Sequence, residues 1–328
     1  MKKISLVTGG AGFLGSNMVD FLLKKNHKVI VIDDLSTGLK QNIKNYFKNK
    51  NFFFYKKDIT KIDFKKIRLN KIDYVFHFAG KAALVPSIKD PIKYFFVNYY
   101  GTLNILKNLK KIKFKKFIYA ASSSCYGKAK TPTDENEKIS LLHPYAASKY
   151  HGEQLCLHWN RTYKFPINSI RIFNAYGNRV SFNQGYGAAF SVFLKQKVEN
   201  KPLTIIGDGK QKRDFIFAED LAEVFYLSAK SKYSGEIYNL GYGKAVSVNR
   251  IAKIIGGKQI RIPKRPGEPQ ITLAKINKIK KHLKWKPKTT INNGINKMLQ
   301  NIDYWKKGKL WNKSNIKKET KEWFKLLK

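Results

Sequence analysis

LVTGGAGFLGSNMVDFLL, residues 6–23, runs from an apolar β-branched stretch through Gly9, Gly12 and Gly15 into a helical pattern. Missing side chains at those three positions let a pyrophosphate approach backbone N–H groups at the positive end of the helix. About twenty residues on, the next apolar run ends in VIDD, which places Asp33 to accept hydrogen bonds from ribose hydroxyls. An acid there repels a 2′-phosphate, so NAD is expected rather than NADP. In KKDIT, Asp58 follows the third run, within reach of an adenine edge.

The same rhythm continues outward. ISLVTGG, KVIVID, NFFFY, DYVFHFAG, KFIYAAS and INSIRIF are strand candidates, and SNMVDFLLKK and YFFVNYYGTLNILKNLKK between them carry helical spacing. This alternation predicts an α/β fold with a Rossmann-type, doubly wound parallel sheet. After about Phe173 the loops lengthen and fill with Gly and Pro, as in NQGYGAAF, IIGDGKQKRDF and IPKRPGEPQ. A smaller α/β substrate-binding lobe is expected there. Residues 1–173 and 214–243 are assigned to the dinucleotide-binding domain, and 174–213 and 244–328 to the second lobe with a helical tail. In that tail, Trp323, Phe324 and Leu327 form one face of an expected amphipathic helix that packs on the body.

The chain of 328 residues carries a formal charge of +43. Lysine is abundant together with Asn, Ile, Phe and Tyr, no compact Arg-rich block occurs, and no nucleic-acid partner is expected. No segment is long and apolar enough to cross a bilayer, so no membrane association is expected. Cys125 and Cys156 are too few for a disulfide framework and have no metal-ligand spacing. They read as reduced thiols of a cytoplasmic protein, and no metal is expected.

In HPYAASKYHGEQ, Tyr145 and Lys149 stand four apart on a predicted helix, which puts both on one face. The ammonium can then stabilise a tyrosinate. Bringing a tyrosine from about 10 to neutrality takes roughly 3 pH units, or about 4 kcal/mol, which Lys149 and a cationic nicotinamide could supply together. His77, beside the cofactor strand, reads as a packed core histidine.

TGGAGFLG, HFAG, SSSCYG, YAASK, RIFNAYG and GDGKQKRDF, in this order, make nearly the whole chain resemble the extended short-chain dehydrogenase/reductase family, in its NAD-dependent nucleotide-sugar epimerase/dehydratase branch. The resemblance implies catalytic roles for Ser122, Tyr145 and Lys149. Besides Tyr145 and Lys149, it implies that NAD is held by Gly9, Gly12, Phe13, Leu14, Gly15, Asp33, Asp58, Ile59, Phe78, Ala79, Gly80 and Asn98. For the substrate it implies Ser87, Ser124, Asn174, Arg213, Arg265, Glu268 and Thr272. Arg213 and Arg265 match diphosphate-binding arginines, whose fork suits that anion. Glu268 stands where galactose-type members usually show aspartate. A homodimer through the helices holding YFFVNYYGTLNIL and YAASKYHGEQL is also implied.

The implied chemistry is loss of the sugar 4-hydroxyl proton to Tyr145 while C4 gives a hydride to NAD, with Ser122 bonding that oxygen. Dehydratases of the branch place an Asp-Glu pair after the serine or threonine, where this chain has Ser123 and Ser124. Decarboxylases keep a glutamate in the segment, also missing here. The expected activity is therefore 4-epimerisation of a nucleotide sugar, UDP-linked by resemblance. The alternatives are a 4,6-dehydratase, a UDP-glucuronate epimerase or decarboxylase, and a basic RNA-binding derivative. Thr272 matches a position where a small residue admits UDP-N-acetylhexosamines as well as UDP-hexoses.

Overall fold

The computed structural model of the chain describes residues 2–182 and 189–326. The strands are β1 (Ile4–Thr8), β2 (Lys28–Asp33), β3 (Phe52–Lys56), β4 (Tyr74–His77), β5 (Lys116–Ser122), β6 (Ile167–Ile172), β7 (Asn174–Tyr176), β8 (Leu203–Ile206), β9 (Lys212–Phe217), β10 (Ile237–Leu240), β11 (Ala245–Ser247) and β12 (Gln259–Ile262). The helices are α1 (Phe13–Lys24), α2 (Leu84–Lys89), α3 (Pro91–Phe95), α4 (Gly101–Leu109), α5 (Pro144–Tyr163), α6 (Ala189–Val198), α7 (Ala218–Lys230), α8 (Val248–Ile255), α9 (Asn277–Leu283), α10 (Ile291–Gln300), α11 (Lys313–Glu319) and α12 (Lys321–Leu326).

Seven strands form one sheet in the order β3-β2-β1-β4-β5-β6-β10, every pair parallel. All six strand candidates lie in it, as the alternation requires. Their near-continuous apolar runs arise because both faces are buried. Val7, Val31, Phe76 and Ile118 pack on one side with Met18, Leu22 and Phe225 of α1 and α7. Leu6, Ile32, Val75 and Phe117 pack on the other with Ile105, Leu106 and Trp159 of α4 and α5. The strand order reverses between β1 and β4, and in such sheets ligands bind beyond the carboxyl ends of the strands at that point.

The later chain builds a three-stranded sheet, β11-β9-β7, and a parallel pair, β12-β8. A separate apolar cluster, including Tyr176, Phe193, Phe217, Ile251 and Trp305, lies under these strands. Part of the stretch expected in the second lobe returns to the first: Ile276, Ile279, Leu283 and Trp285 join the core of the large sheet, since α9 packs on β10 and α7.

Two helical expectations change. The run from Tyr94 is interrupted by a π-helical turn over Phe96–Tyr100, which carries the buried Asn98. The tail is two short helices divided at Thr320 rather than one amphipathic helix. Trp323 is buried and Phe324 half-buried, while Leu327 lies outside the described residues, as do residues 183–188 of the expected loop.

Candidate active site

A cleft of about 410 Å³ opens at the carboxyl ends of β1, β2, β4 and β5. Gly9, Gly12, Phe13, Leu14, Gly15, Asp33, Asp58, Ile59, Phe78, Ala79 and Gly80 line it. The glycines are required by contact. Gly9 has φ +70° and a Cβ there would sit 2.6 Å from Ala79 N, while one on Gly15 would run into the Gly9 carbonyl. Helix α1 starts at Gly12 with no side-chain cap and no acid in its first turn, so its N-terminal N–H groups are left for an anion. Asp33 accepts from Ala11 N at 2.9 Å and Leu35 N at 2.8 Å. Burial raises its pKa, and those two bonds oppose the rise. Asp58 accepts from both the amide and the hydroxyl of Thr60 at 2.8 Å. This donor and acceptor set fits a dinucleotide such as NAD: backbone N–H for pyrophosphate at one point, carboxylates for ribose and base beyond it.

Asn98 does not reach the cleft lining. It is 1% exposed, accepts from Lys81 N at 2.7 Å and donates to Lys81 O at 3.0 Å and Ser148 Oγ at 2.9 Å, so it fixes the backbone after Gly80. Lys81 itself, which sequence reading missed, lines the cleft and places Nζ 3.0 Å from Ser36 Oγ on the opposite lip. Its place directly after HFAG was the available signal. His77 is a core residue, fully buried between Thr8 and Thr102, with its pKa lowered to about 3 by burial.

Ser122 ends β5, Tyr145 is the second residue of α5, and Lys149 lies one turn on; all three line the cleft. Ser122 Oγ accepts from Ser124 N at 3.2 Å, which leaves its single hydrogen to donate. That hydroxyl pulls the Tyr145 phenol pKa down, against a larger rise from burial. Lys149 Nζ sits 4.4 Å from the Tyr119 ring centroid, and burial lowers its pKa to about 8. In the protein alone both groups are therefore pushed toward their neutral forms.

A second cavity, of about 550 Å³, meets the first at Leu84, Ala175, Val180, Arg265 and Glu268. Ser124, Asn174, Arg213 and Thr272 line it, along with Ser123, His143 and Trp323. Arg265 bonds Glu268 at 2.7 Å, and Arg213 approaches the same carboxylate at 3.8 Å. Two guanidiniums against one carboxylate leave positive charge in excess, as an anionic substrate requires. Asn174 Nδ2 donates to Thr272 Oγ1 at 3.2 Å and to Asp214 O at 3.3 Å. Asp214 is no partner for Arg213; its carboxylate turns inward to Tyr242, Gly243 and Ala274 N–H groups, and burial raises its pKa to about 6.

Ser87 is the expectation the geometry removes. It is fully buried, donates to Leu84 O at 2.6 Å and lines neither cavity, because α2 turns its hydroxyl back into its own first turn. His143 and Trp323 were not singled out as site residues. His143 caps α5 by accepting from Ala146 N at 3.1 Å, and nothing in the local sequence brings Trp323 beside it.

Residues 5–241 match the NAD dependent epimerase/dehydratase family. The chain is 34% identical over 326 residues to a UDP-glucuronate 4-epimerase of Thermodesulfobacterium geofontis, covering 95% of this chain and 96% of that protein. Among solved structures it is similar to the UDP-glucuronic acid 4-epimerase of Bacillus cereus in complex with UDP-glucuronic acid and NAD, with TM-score 0.85, 32% identity, and 92% of this chain and 99% of that one covered. It is similar also to the UDP-N-acetylglucosamine 4-epimerase of Methanobrevibacter ruminantium M1 in complex with UDP-N-acetylmuramic acid, with TM-score 0.84, 30% identity, and coverage of 92% and 99%.

Proposed function

Because this chain belongs to the NAD dependent epimerase/dehydratase family, we propose that it is an NAD-dependent UDP-sugar 4-epimerase whose reaction is performed where its two cavities meet. One observation carries epimerisation over dehydration. Among the described residues lining the two cavities, the carboxylates are Asp33, Asp34 and Asp58 at the ribose end of the cleft, and Glu268, engaged by two arginines. The two residues that follow Ser122 in the chain, Ser123 and Ser124, carry hydroxyls, which neither give nor take a proton at neutral pH. Elimination across C5 and C6 needs an acid and a base there.

The Gly9–Gly15 turn, Asp33, Asp58, the Phe78–Gly80 backbone and Lys149 would hold NAD, which when bound supplies the hydride acceptor and donor for sugar C4. Tyr145, ionised to the phenolate when NAD is bound, accepts the proton of the 4-hydroxyl, and Ser122 donates a hydrogen bond to the developing oxygen. Arg213 and Arg265 hold the diphosphate while the keto sugar turns its other face, and the proton returns from Tyr145. Asn174 supports the same wall, and Thr272 leaves room for an N-acetyl substituent, so UDP-N-acetylhexosamines as well as UDP-hexoses are substrates in this reading.

The division of labour follows the two lobes, with residues 1–173 and 214–243 binding dinucleotide and the remainder, apart from the returning α9 region, binding substrate, while Ser123, Ser124 and His143 of the first lobe also line the substrate cavity. A homodimer is part of the reading. Ile92, Phe96, Tyr99 and Tyr100 lie exposed along the run from α3 to α4, an apolar face suited to a second copy. The protein is placed in the cytoplasm, where its two buried thiols stay reduced.

The test is incubation of the NAD-loaded protein with UDP-, GDP-, CDP- and dTDP-sugars, read by NMR at sugar C4. Interconversion of C4 epimers of a UDP-sugar is the expected result; accumulation of a 4-keto-6-deoxy product would replace the reading by dehydration.

A further inference from the structure

Trp323 of α12 stands where three parts of the site meet. Its indole N–H donates to Pro266 O at 2.9 Å, holding the backbone between Arg265 and Glu268. The Arg265 guanidinium lies 5.8 Å from its ring centroid, within cation–π range. On another side, the His143 ring is 6.2 Å away, and His143 stacks on Tyr145 at 6.0 Å with the planes 2° apart. The helix is anchored in turn: α12 packs on α2, and Lys89 Nζ of α2 bonds Glu319 of α11 at 3.3 Å. Trp323 and Leu326 line the second cavity together with Ser123, Ser124 and Leu142.

The two arginines differ in how they are held. Arg213 belongs to β9 and donates to Lys212 O at 2.9 Å. Arg265 lies in the irregular segment between β12 and α9, where no strand or helix fixes its backbone. A diphosphate needs both forks at a set separation, so the loop requires a brace from elsewhere in the chain. His143 supplies no competing charge to this wall. Burial lowers its pKa to about 4, and its Nδ1 accepts from Ala146 N, which puts the ring hydrogen on Nε2.

We propose that Trp323 is a positioning residue for the substrate: it braces Arg265 and the 265–268 loop against the start of α5, so that α12 completes the diphosphate-binding wall. The proposal rests on the nucleotide-sugar reading of the cavity.

The experiment compares NAD-loaded wild-type protein with Trp323→Ala and Trp323→Phe, measuring UDP binding by calorimetry, KM and kcat for the epimerised UDP-sugar, and bound NAD. In Trp323→Ala the Kd for UDP and the KM rise about tenfold or more, while kcat stays within about threefold and NAD content is unchanged. Trp323→Phe keeps a ring against Arg265 and recovers most of the loss. Unchanged Kd and KM in Trp323→Ala overturn the proposal, as does a fall in kcat at constant KM, the mark of fewer folded molecules. A Phe variant no better than Ala overturns the ring contact as the brace. Failure of the wild-type protein to bind UDP would instead sink the nucleotide-sugar reading, and this proposal with it.

Discussion

Ser122 at the end of β5 and Tyr145 in the first turn of α5 line the same cleft, and the serine hydroxyl pulls the phenol pKa down against a larger rise from burial. Ser122 Oγ accepts from Ser124 N–H, so its hydrogen is available to donate. Tyr145→Phe removes the proton acceptor without changing the shape of the cleft. Turnover is expected to fall by at least about a hundredfold, with NAD still bound. Ser122→Ala should cost about ten- to a hundredfold. C4 epimer interconversion by NMR, with bound NAD measured in parallel, checks both; near-normal turnover in Tyr145→Phe would remove Tyr145 from the mechanism.

Lys149 is charged only against the preference of its surroundings. Its pKa is lowered by burial to about 8 from 10.5, so between those values the unfolded chain binds more protons than the folded one. The penalty is fully present below about pH 8 and is relieved as pH rises from there toward 10.5. Lys149→Met is therefore expected to abolish activity and to raise stability of the NAD-free protein near neutral pH by about 3 kcal/mol. The gain should vanish above about pH 10.5. Denaturant melts at pH 7 and pH 10.5 check the sign; a variant less stable at pH 7 would contradict it.

The same burial raises the Tyr145 pKa above its ordinary value of 10.0 in the protein alone. The spacing offers Lys149 and a cationic nicotinamide together as the groups that lower it; in the protein alone the lowering comes from Ser122 and is outweighed by burial. A bound cationic nicotinamide acting with Lys149 is the expected source of a lowered value. Tyrosinate absorbance titrated with and without NAD, with Tyr145→Phe as the blank, should show one tyrosine moving to lower pH on NAD binding. A position independent of NAD would leave the activation of Tyr145 unexplained.

What could be read in the chain is what depends on neighbours in sequence. Gly9, Gly12 and Gly15 lie within one turn and Tyr145 and Lys149 within one helix, so their placement in the cleft is written locally. The six strands were legible because burial on both faces fills them with apolar residues. Asn98 was placed in the cofactor pocket but acts one step behind it. The π-helical turn that carries it between Phe96 and Tyr100 leaves no trace in a helical period. Ser87 shows the reverse: a hydroxyl near the right strand end, satisfied by a local bond that sequence position does not reveal. Lys81, His143 and Trp323 take their meaning from partners in other elements, such as Ser36 and Pro266.

Behind the serine run, Arg171 and Glu153 form a buried ion pair at 2.7 Å, 3% and 1% exposed. Ser169 donates to the same carboxylate, and Arg171 also donates to Tyr126, whose hydroxyl donates to Asn239. Removing one partner strands a charge in the core, so Arg171→Leu or Glu153→Leu is expected to cost about 3–5 kcal/mol. The double substitution should be milder than either, since no unpaired charge remains. A double-mutant cycle on urea melts measures this, and strict additivity would refute the coupling.

The last expectation concerns assembly. Phe96 and Tyr100 stack at 5.1 Å with planes 9° apart and are 47% and 45% exposed; Ile92, also on this run, is 81% exposed. A monomer would leave this face to water, whereas a second copy applied to it would bury the pair. The π-helical turn carrying these rings also carries Asn98, which fixes the backbone after Gly80 at the cofactor cleft. Phe96→Glu with Tyr100→Glu should therefore convert a dimer to a monomer in light scattering and weaken NAD retention as well. A wild-type protein that is already monomeric at micromolar concentration would refute this interface, and a monomeric variant that holds NAD normally would separate assembly from cofactor binding.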